Sequence, residues 1–141
     1  MTPDRRLQDT EDAKLKHLEF IHNVISRLAG NSFWLKGWSV TLVAAIFAVA
    51  AKDGTGSFLW VALIPAFAFW GLDAFYRGQE HVFRDMHDEV VAGDVDLMSM
   101  QTEKYEKGFV GWLGDLFSRS VWPFHLALVV VVVVVIIQAG G

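Results

Sequence analysis

Two charged side chains lie at the edges of stretches that are otherwise almost free of charge. Lys36 precedes one apolar run, and Asp73 lies near the end of another. Charged groups at such positions in membrane segments usually pair with one another or line an ion pathway. We expect Lys36 and Asp73 to meet as an interhelical ion pair, with Arg77 one helical turn beyond Asp73 as a second cation. The pair either sets helix depth and register or takes part in gating.

A second group of residues has the spacing of a metal site. His81, Asp85 and Asp88 follow one another at i, i+4 and i+7, which puts them on one helix face. Imidazole and carboxylate groups are ligands for hard or borderline divalent cations. A usual site needs a further ligand, so a solvated charged face is the preferred interpretation. We predict no bound cofactor.

Catalytic patterns are missing from the sequence. It contains no Cys, no nucleophile elbow, and no phosphate loop, dinucleotide fingerprint or zinc-protease helix. His125 lies one turn into a third apolar stretch, where a hydrogen-bonded histidine is favoured over a proton relay. Asp73 and His125 together are too small a set for most membrane enzymes. We predict that the protein is not an enzyme.

The composition indicates a membrane protein. The chain has 141 residues, of which 53% are hydrophobic and 20% charged, and this is too apolar for a soluble domain of that size. Its 12 Lys and Arg against 16 Asp and Glu give a net charge of −4. Such a balance offers no basic surface for nucleic acid. The expected partner is the lipid bilayer.

The apolar residues form three stretches, each close to the roughly 20 residues that a spanning helix needs. We predict a single membrane domain with transmembrane helices at 33–51, 57–76 and 121–138. The KDGTG turn between the first two allows only an antiparallel hairpin. Tryptophan residues near the segment ends support spanning, since their rings prefer the headgroup region; they are Trp34, Trp38, Trp60, Trp70 and Trp122.

The distribution of Lys and Arg predicts the orientation. Five of these residues precede the first span and Lys36 lies near its start, five lie between the second and third spans, and only Lys52 lies in the KDGTG turn. By the positive-inside rule, the amino terminus and residues 77–119 are cytoplasmic. The KDGTG turn and the carboxyl terminus then face outward.

The cytoplasmic parts are predicted to be amphipathic helices. Residues 1–30 form one helix, with a break at Gly30-Asn31, and residues 77–93 extend the second span. Apolar residues recur in both at steps of three and four, so the two should pack against each other or against other copies. Residues 94–104 are predicted to be a linker. Residues 105–119 form a short helix in the membrane interface or, as the alternative, one packed against protein.

Several features favour assembly of several copies. Small residues recur at Ala44 and Ala62, each followed by another alanine four residues on, and such faces let helices approach closely. Pro65 is expected to kink the second helix and act as a hinge. Three spans cannot enclose a pore, so conduction requires a homo-oligomer. Ser39 and Thr41 are the mildly polar candidates for the pore wall, which would otherwise be apolar and closed at rest.

A resemblance to known proteins runs over about residues 14–91. It is carried by KLKHLEFIHNVISRLAGNSFWLKGWSVTLVAA and FAFWGLDAFYRGQEHVFRDMHDEV, with NSFWLKGW and FWGLDAFYRGQE as the most specific parts. These stretches resemble small bacterial membrane proteins, and the layout is similar to SLATT-type, two-helix transmembrane effector modules found beside nucleotide-signalling anti-phage genes. The resemblance implies a pore-forming effector that oligomerises and depolarises the bacterial inner membrane on receiving a signal. This chain adds a short helix and a third span after residue 104.

The sequence therefore predicts an all-α, multi-pass protein of the bacterial inner membrane. The expected function is a homo-oligomeric channel or membrane-perturbing effector, active in bacterial defence or stress. The alternative is a non-conducting scaffold that binds a cytoplasmic protein or signal partner through its amphipathic helices. A membrane enzyme that uses Asp73 and His125 is the third and least favoured reading.

Overall fold

The computed structural model describes residues 3–53, 56–93, 105 and 108–140, and these form helices and no strand. The α-helices are α1 (Pro3–Asp53), α2 (Leu63–Ala92), α3 (Gly108–Leu116) and α4 (Trp122–Gly140). A 3-10 helix at Gly56–Ala62 precedes α2. The predicted all-helical class is confirmed for this part of the chain, and the predicted linker at 94–104 lies outside it.

Three helical stretches are long and apolar enough to cross a membrane. They lie within Gln8–Lys52, Phe58–Ala92 and Trp122–Ala139. The first contains the predicted span at 33–51, and the other two cover all but the first residue of the predicted spans at 57–76 and 121–138. Length and apolar composition alone define such a segment. The protein thus has the candidate spans of a multi-pass membrane protein.

Helix α1 passes through Gly30-Asn31 without interruption, so the predicted break there is wrong. It is a single helix of 51 residues. A glycine inside a helix costs only about 1 kcal/mol relative to alanine, whereas each further residue adds a backbone hydrogen bond. Packing of α1 against α2 on both sides of Gly30 outweighs that local preference.

Two apolar clusters hold α1 against α2. The extension cluster joins Ile21 and Ile25 of α1 to Met86 and Val90 of α2. The span cluster lies further along α1 and also includes α4; its buried members are Val43, Ala50, Leu59, Ala62, Ala66, Val132 and Ile136. Early residues of α1 therefore meet late residues of α2, and late residues of α1 meet the 3-10 helix and the start of α2.

Pro65 lies in the first turn of α2, directly after the 3-10 helix. The first backbone N–H groups of an α-helix have no partner within that helix, so a proline there removes no α-helical hydrogen bond. The chain changes from 3-10 to α-helical geometry at Leu63, so Pro65 lies near the start of α2 and not in the middle of a helix, where the kink was predicted.

Helix α3 packs against α2 through two tryptophan side chains. Trp112 Nε1 donates to the carbonyl oxygen of Gly71 at 3.1 Å, and Trp70 Nε1 donates to that of Leu116 at 3.0 Å. Phe109, one turn before Trp112 on α3, is 71% accessible. These contacts set the start of α4 beside α2, where it can complete a polar site.

Candidate functional site

Three helices converge on the carboxylate of Asp73, which is fully buried in α2. Ser32 and Lys36 approach it from α1, and His125 approaches from α4. Ser32 and Lys36 share a face of α1 because they are four residues apart. We call these four residues the Asp73 network.

Every polar atom of the Asp73 carboxylate is used in the network. Its Oδ1 accepts a hydrogen bond from the Ser32 hydroxyl. Its Oδ2 lies 2.5 Å from Lys36 Nζ and 3.0 Å from His125 Nε2. Lys36 Nζ also donates to Ser32 Oγ at 2.9 Å. Hydrogen bonds to an ionised group are stronger than those between neutral groups. The network therefore holds α1 and α4 against α2 at the position of Asp73.

His125 is enclosed on all sides. Its ring stacks on Trp70 with centroids 6.1 Å apart and meets Phe124 edge-on at 5.1 Å. Its Nδ1 is buried without a hydrogen-bond partner. A neutral ring that donates from Nε2 to Asp73 fits this environment, whereas a doubly protonated ring would bury an unpaired N–H donor.

The network holds helices together but does not activate a nucleophile. In hydrolase triads, the histidine lies between the serine and the acid and takes the serine proton. Here the carboxylate of Asp73 lies between Ser32 and His125 and accepts from both. The geometry can fix the positions of three helices relative to one another.

The structure brings Lys36, Asp73 and His125 together, but Arg77 does not join them. Arg77 Nη1 instead lies 2.9 Å from Glu80 Oε2, and Arg84 Nε lies 2.8 Å from Glu80 Oε1. Glu80 is only 3% exposed. The sequence analysis did not predict the ion pairs of Glu80. Arginines lie three residues before it and four residues after it, and these are the spacings at which ion pairs form on a helix. Ser32 was also missed, and its position four residues before Lys36 is the signal that could have found it.

The three residues of the predicted metal site are not brought together. Among the described residues, no group of three or more His, Asp or Glu side chains could hold a metal ion. His81 Nδ1 lies 3.1 Å from Asp115 Oδ1 on α3, and Asp88 lies beside His87. His81 thus serves as a contact between α2 and α3.

The two hydroxyl residues predicted for a pore wall have different positions. Ser39 is fully buried, and its hydroxyl donates to the carbonyl oxygen of Lys36 at 2.8 Å. Thr41 is exposed and donates to the carbonyl oxygen of Gly37 at 2.9 Å. Both hydroxyls are satisfied by their own helix. Of the two, only Thr41 is on a surface that another copy can reach.

Gly78 lets α3 approach α2 closely, and replacing it with alanine is expected to test that contact. A Cβ at Gly78 would lie 2.8 Å from Asp115 Oδ2, which is too close, so the carboxylate that contacts His81 or the helix beside it must shift. A Cβ at Gly30 would meet nothing within 4 Å. We expect Gly30→Ala to raise the free energy of unfolding by about 1 kcal/mol. The free energy of unfolding of the Gly78→Ala variant should be lower than that of the Gly30→Ala variant by about 1–3 kcal/mol. Denaturation in mixed micelles measures both, and equal gains would contradict the contact.

The fold and the site define a class: an all-helical protein with three candidate membrane spans that meet at a buried ion pair. Comparisons with protein-family models, curated proteins and solved structures found no match. A functional proposal for this chain therefore starts from the geometry of the Asp73 network.

Proposed function

We propose that the protein is a homo-oligomeric membrane channel or membrane-perturbing effector that the Asp73 network holds closed. The observation that carries the proposal is the fully buried Asp73, bonded from both other span helices. A buried ion pair adds little net stability over well-packed apolar residues. Charged groups within membrane segments are expensive and mostly functional. A bonded and a released form of this network would make a two-state element of the kind that gating requires.

The proposed orientation places the network near the cytoplasmic ends of the spans. The positive-inside rule puts the amino terminus and residues 77–119 in the cytoplasm of a bacterial inner membrane. The antiparallel hairpin of α1 and α2 then continues into the cytoplasm as the extension cluster. Helix α3 lies in the interface, where exposed Phe109 and Val110 can contact lipid.

Conduction in this proposal requires several copies. The span cluster fills the space between α1, α2 and α4 within one protomer. Ala62 and Ala66 are buried in that cluster, whereas Ala44 and Ala48 on α1 remain exposed. A small-residue face of this kind allows another helix to pack closely in lipid. A ring of copies can then enclose an axis that widens when the network is released.

Ion release from liposomes tests the closed network. We expect Lys36→Met and His125→Phe to increase ion release over the unmodified protein, because each removes a bond that holds the spans together. The open population should rise about tenfold for every 1.4 kcal/mol of closed-state stabilisation lost. Lys52→Met, which replaces an exposed lysine of α1 outside the network, is the matched control and should leave release unchanged. Unchanged release in both network variants, with assembly intact by cross-linking, would contradict the gating role.

A non-conducting scaffold is the second candidate, and one observation favours it. Leu15 and Phe20, on the part of α1 before the first span, are 62% and 51% exposed. Exposed apolar side chains on a helix outside the membrane can dock a cytoplasmic protein. Absence of conductance from the unmodified protein and from every network variant would favour this function. The role in bacterial defence or stress is proposed from the resemblance to SLATT-type modules alone.

A further inference from the structure

A cavity of about 400 Å³ lies between α2 and α3, away from the Asp73 network. Its size falls within the roughly 300–1,000 Å³ of small-molecule sites. Four aromatic side chains line it, together with the paired side chains of His81 and Asp115; the aromatic residues are Phe75, Tyr105, Phe109 and Trp112. The contacts between α2 and α3 do not require an open space here, and neither does the proposed gating by the Asp73 network.

We propose that the cavity binds an organic ammonium group, carried by a lipid headgroup or by a free small molecule. The face of an aromatic ring is negative and attracts cations, and cages of several aromatic rings recognise alkylammonium ligands. Among the described residues that line the cavity there is no Lys or Arg, and the ionisable side chains are His81 and Asp115. The lining therefore selects for positive charge and apolar substituents.

Asp115 supplies the negative charge of the site. Its side chain is 13% exposed, and its Oδ1 lies 3.1 Å from His81 Nδ1. Its Oδ2 would lie only 2.8 Å from a Cβ at residue 78, so the glycine there leaves room for the carboxylate. The contact with His81 uses one oxygen of the carboxylate, and the second oxygen lies beside Gly78. A bound ammonium group would offset the negative charge of Asp115.

The aromatic wall is already partly assembled. Phe109 and Trp112 stack with centroids 5.5 Å apart, and Trp112 is held by its bond to the carbonyl oxygen of Gly71. Phe109 is 71% exposed, so the side of the cavity that it forms is open to a ligand. Because Trp112 belongs to the wall, its fluorescence should report occupancy.

Titration with choline and with its neutral isostere 3,3-dimethylbutanol tests the requirement for charge. The full chain is placed in nanodiscs of phosphatidylglycerol, and binding is followed by calorimetry and tryptophan fluorescence. We expect choline to bind at least tenfold more tightly than the isostere, and inorganic phosphate to give no heat of binding. Equal affinities for the two alcohols, or binding of phosphate at this site, would overturn the proposal.

Variants assign the binding to this cavity. Asp115→Asn and Phe109→Ala should each weaken choline binding at least fivefold, while Val110→Ala, an exposed neighbour on α3 outside the lining, should not. If Asp115→Asn disturbs the packing of α3, Phe109→Ala decides the question. Unchanged affinity in the Phe109 variant would refute the site.

Nanodisc composition separates the two sources of the ammonium group. With phosphatidylethanolamine in the bilayer, a headgroup ligand should compete and lower the apparent affinity for choline. Unchanged affinity would assign the site to a free ligand. Binding is measured without any reading of conductance, so this inference can fail or succeed independently of the proposed channel.

Discussion

Replacing Asp73 with alanine is expected to lower the free energy of unfolding by about 3–5 kcal/mol. The change leaves the Lys36 ammonium without its anion and removes the acceptor for Ser32 and His125. His125 is fully buried, and the Lys36 side chain is only 19% exposed, so water can replace little of what is lost. Unfolding in mixed micelles, followed by circular dichroism, measures the loss.

Asp88→Ala on the same helix is the matched control for Asp73→Ala. The Asp88 side chain is 84% exposed, and its ion pair with His87 lies at the surface, so its loss should change stability by less than about 1 kcal/mol. The double variant Lys36→Met, Asp73→Leu should recover much of the stability, because it removes both charges together. Equal losses at Asp73 and Asp88 would show that the network does not hold the helices together.

Shortening Ile21 to alanine is expected to produce the second large effect, a loss of about 2–5 kcal/mol. Ile21 is fully buried and packs with Ile25, Met86 and Val90 in the extension cluster. The variant loses apolar burial and leaves a cavity between two helices that cannot close freely. The measurement is denaturant unfolding of the full chain.

Leu15→Ala provides the comparison for Ile21→Ala. Leu15 lies on the same helix but is 62% exposed, so its truncation should change stability by no more than about 0.5 kcal/mol in the isolated protein. Similar losses at both positions would mean that the extension is not held by its packing against α2. A loss at Leu15 that appears only in the assembled protein would instead locate a contact between copies.

Hydropathy was sufficient to predict the helical class and the three candidate spans, because length and apolar content define such segments without reference to a partner. Hydropathy was not sufficient to predict where each helix begins and ends. The predicted break at Gly30-Asn31 followed local preference, but packing on both sides keeps α1 continuous. The position of Pro65 in a first turn depended on a 3-10 helix that no residue pattern indicated.

The site was predicted in part. The sequence analysis selected Lys36, Asp73 and His125 because a charged or imidazole side chain is unusual in an apolar stretch. That argument does not depend on how the helices are rotated against one another. The role of Ser32 and the burial of Ser39 depend on how α1 is rotated about its axis, which only the contacts with α2 and α4 define. The pairing of His81 with Asp115 required α3 to dock, and sequence spacing within α2 cannot report that.

Because α1 is continuous, a tilt of its amino-terminal part would be transmitted to Ser32 and Lys36, which contact Asp73. From Gln8 to Ser32 the helix extends about 36 Å, and a tilt of about 5° around Ser32 would move its far end by about 3 Å. The helix is not interrupted between these two residues, because Gly30-Asn31 is helical. A force applied near the amino-terminal end, tens of ångströms away, would therefore act as a torque on the bond between Lys36 and Asp73.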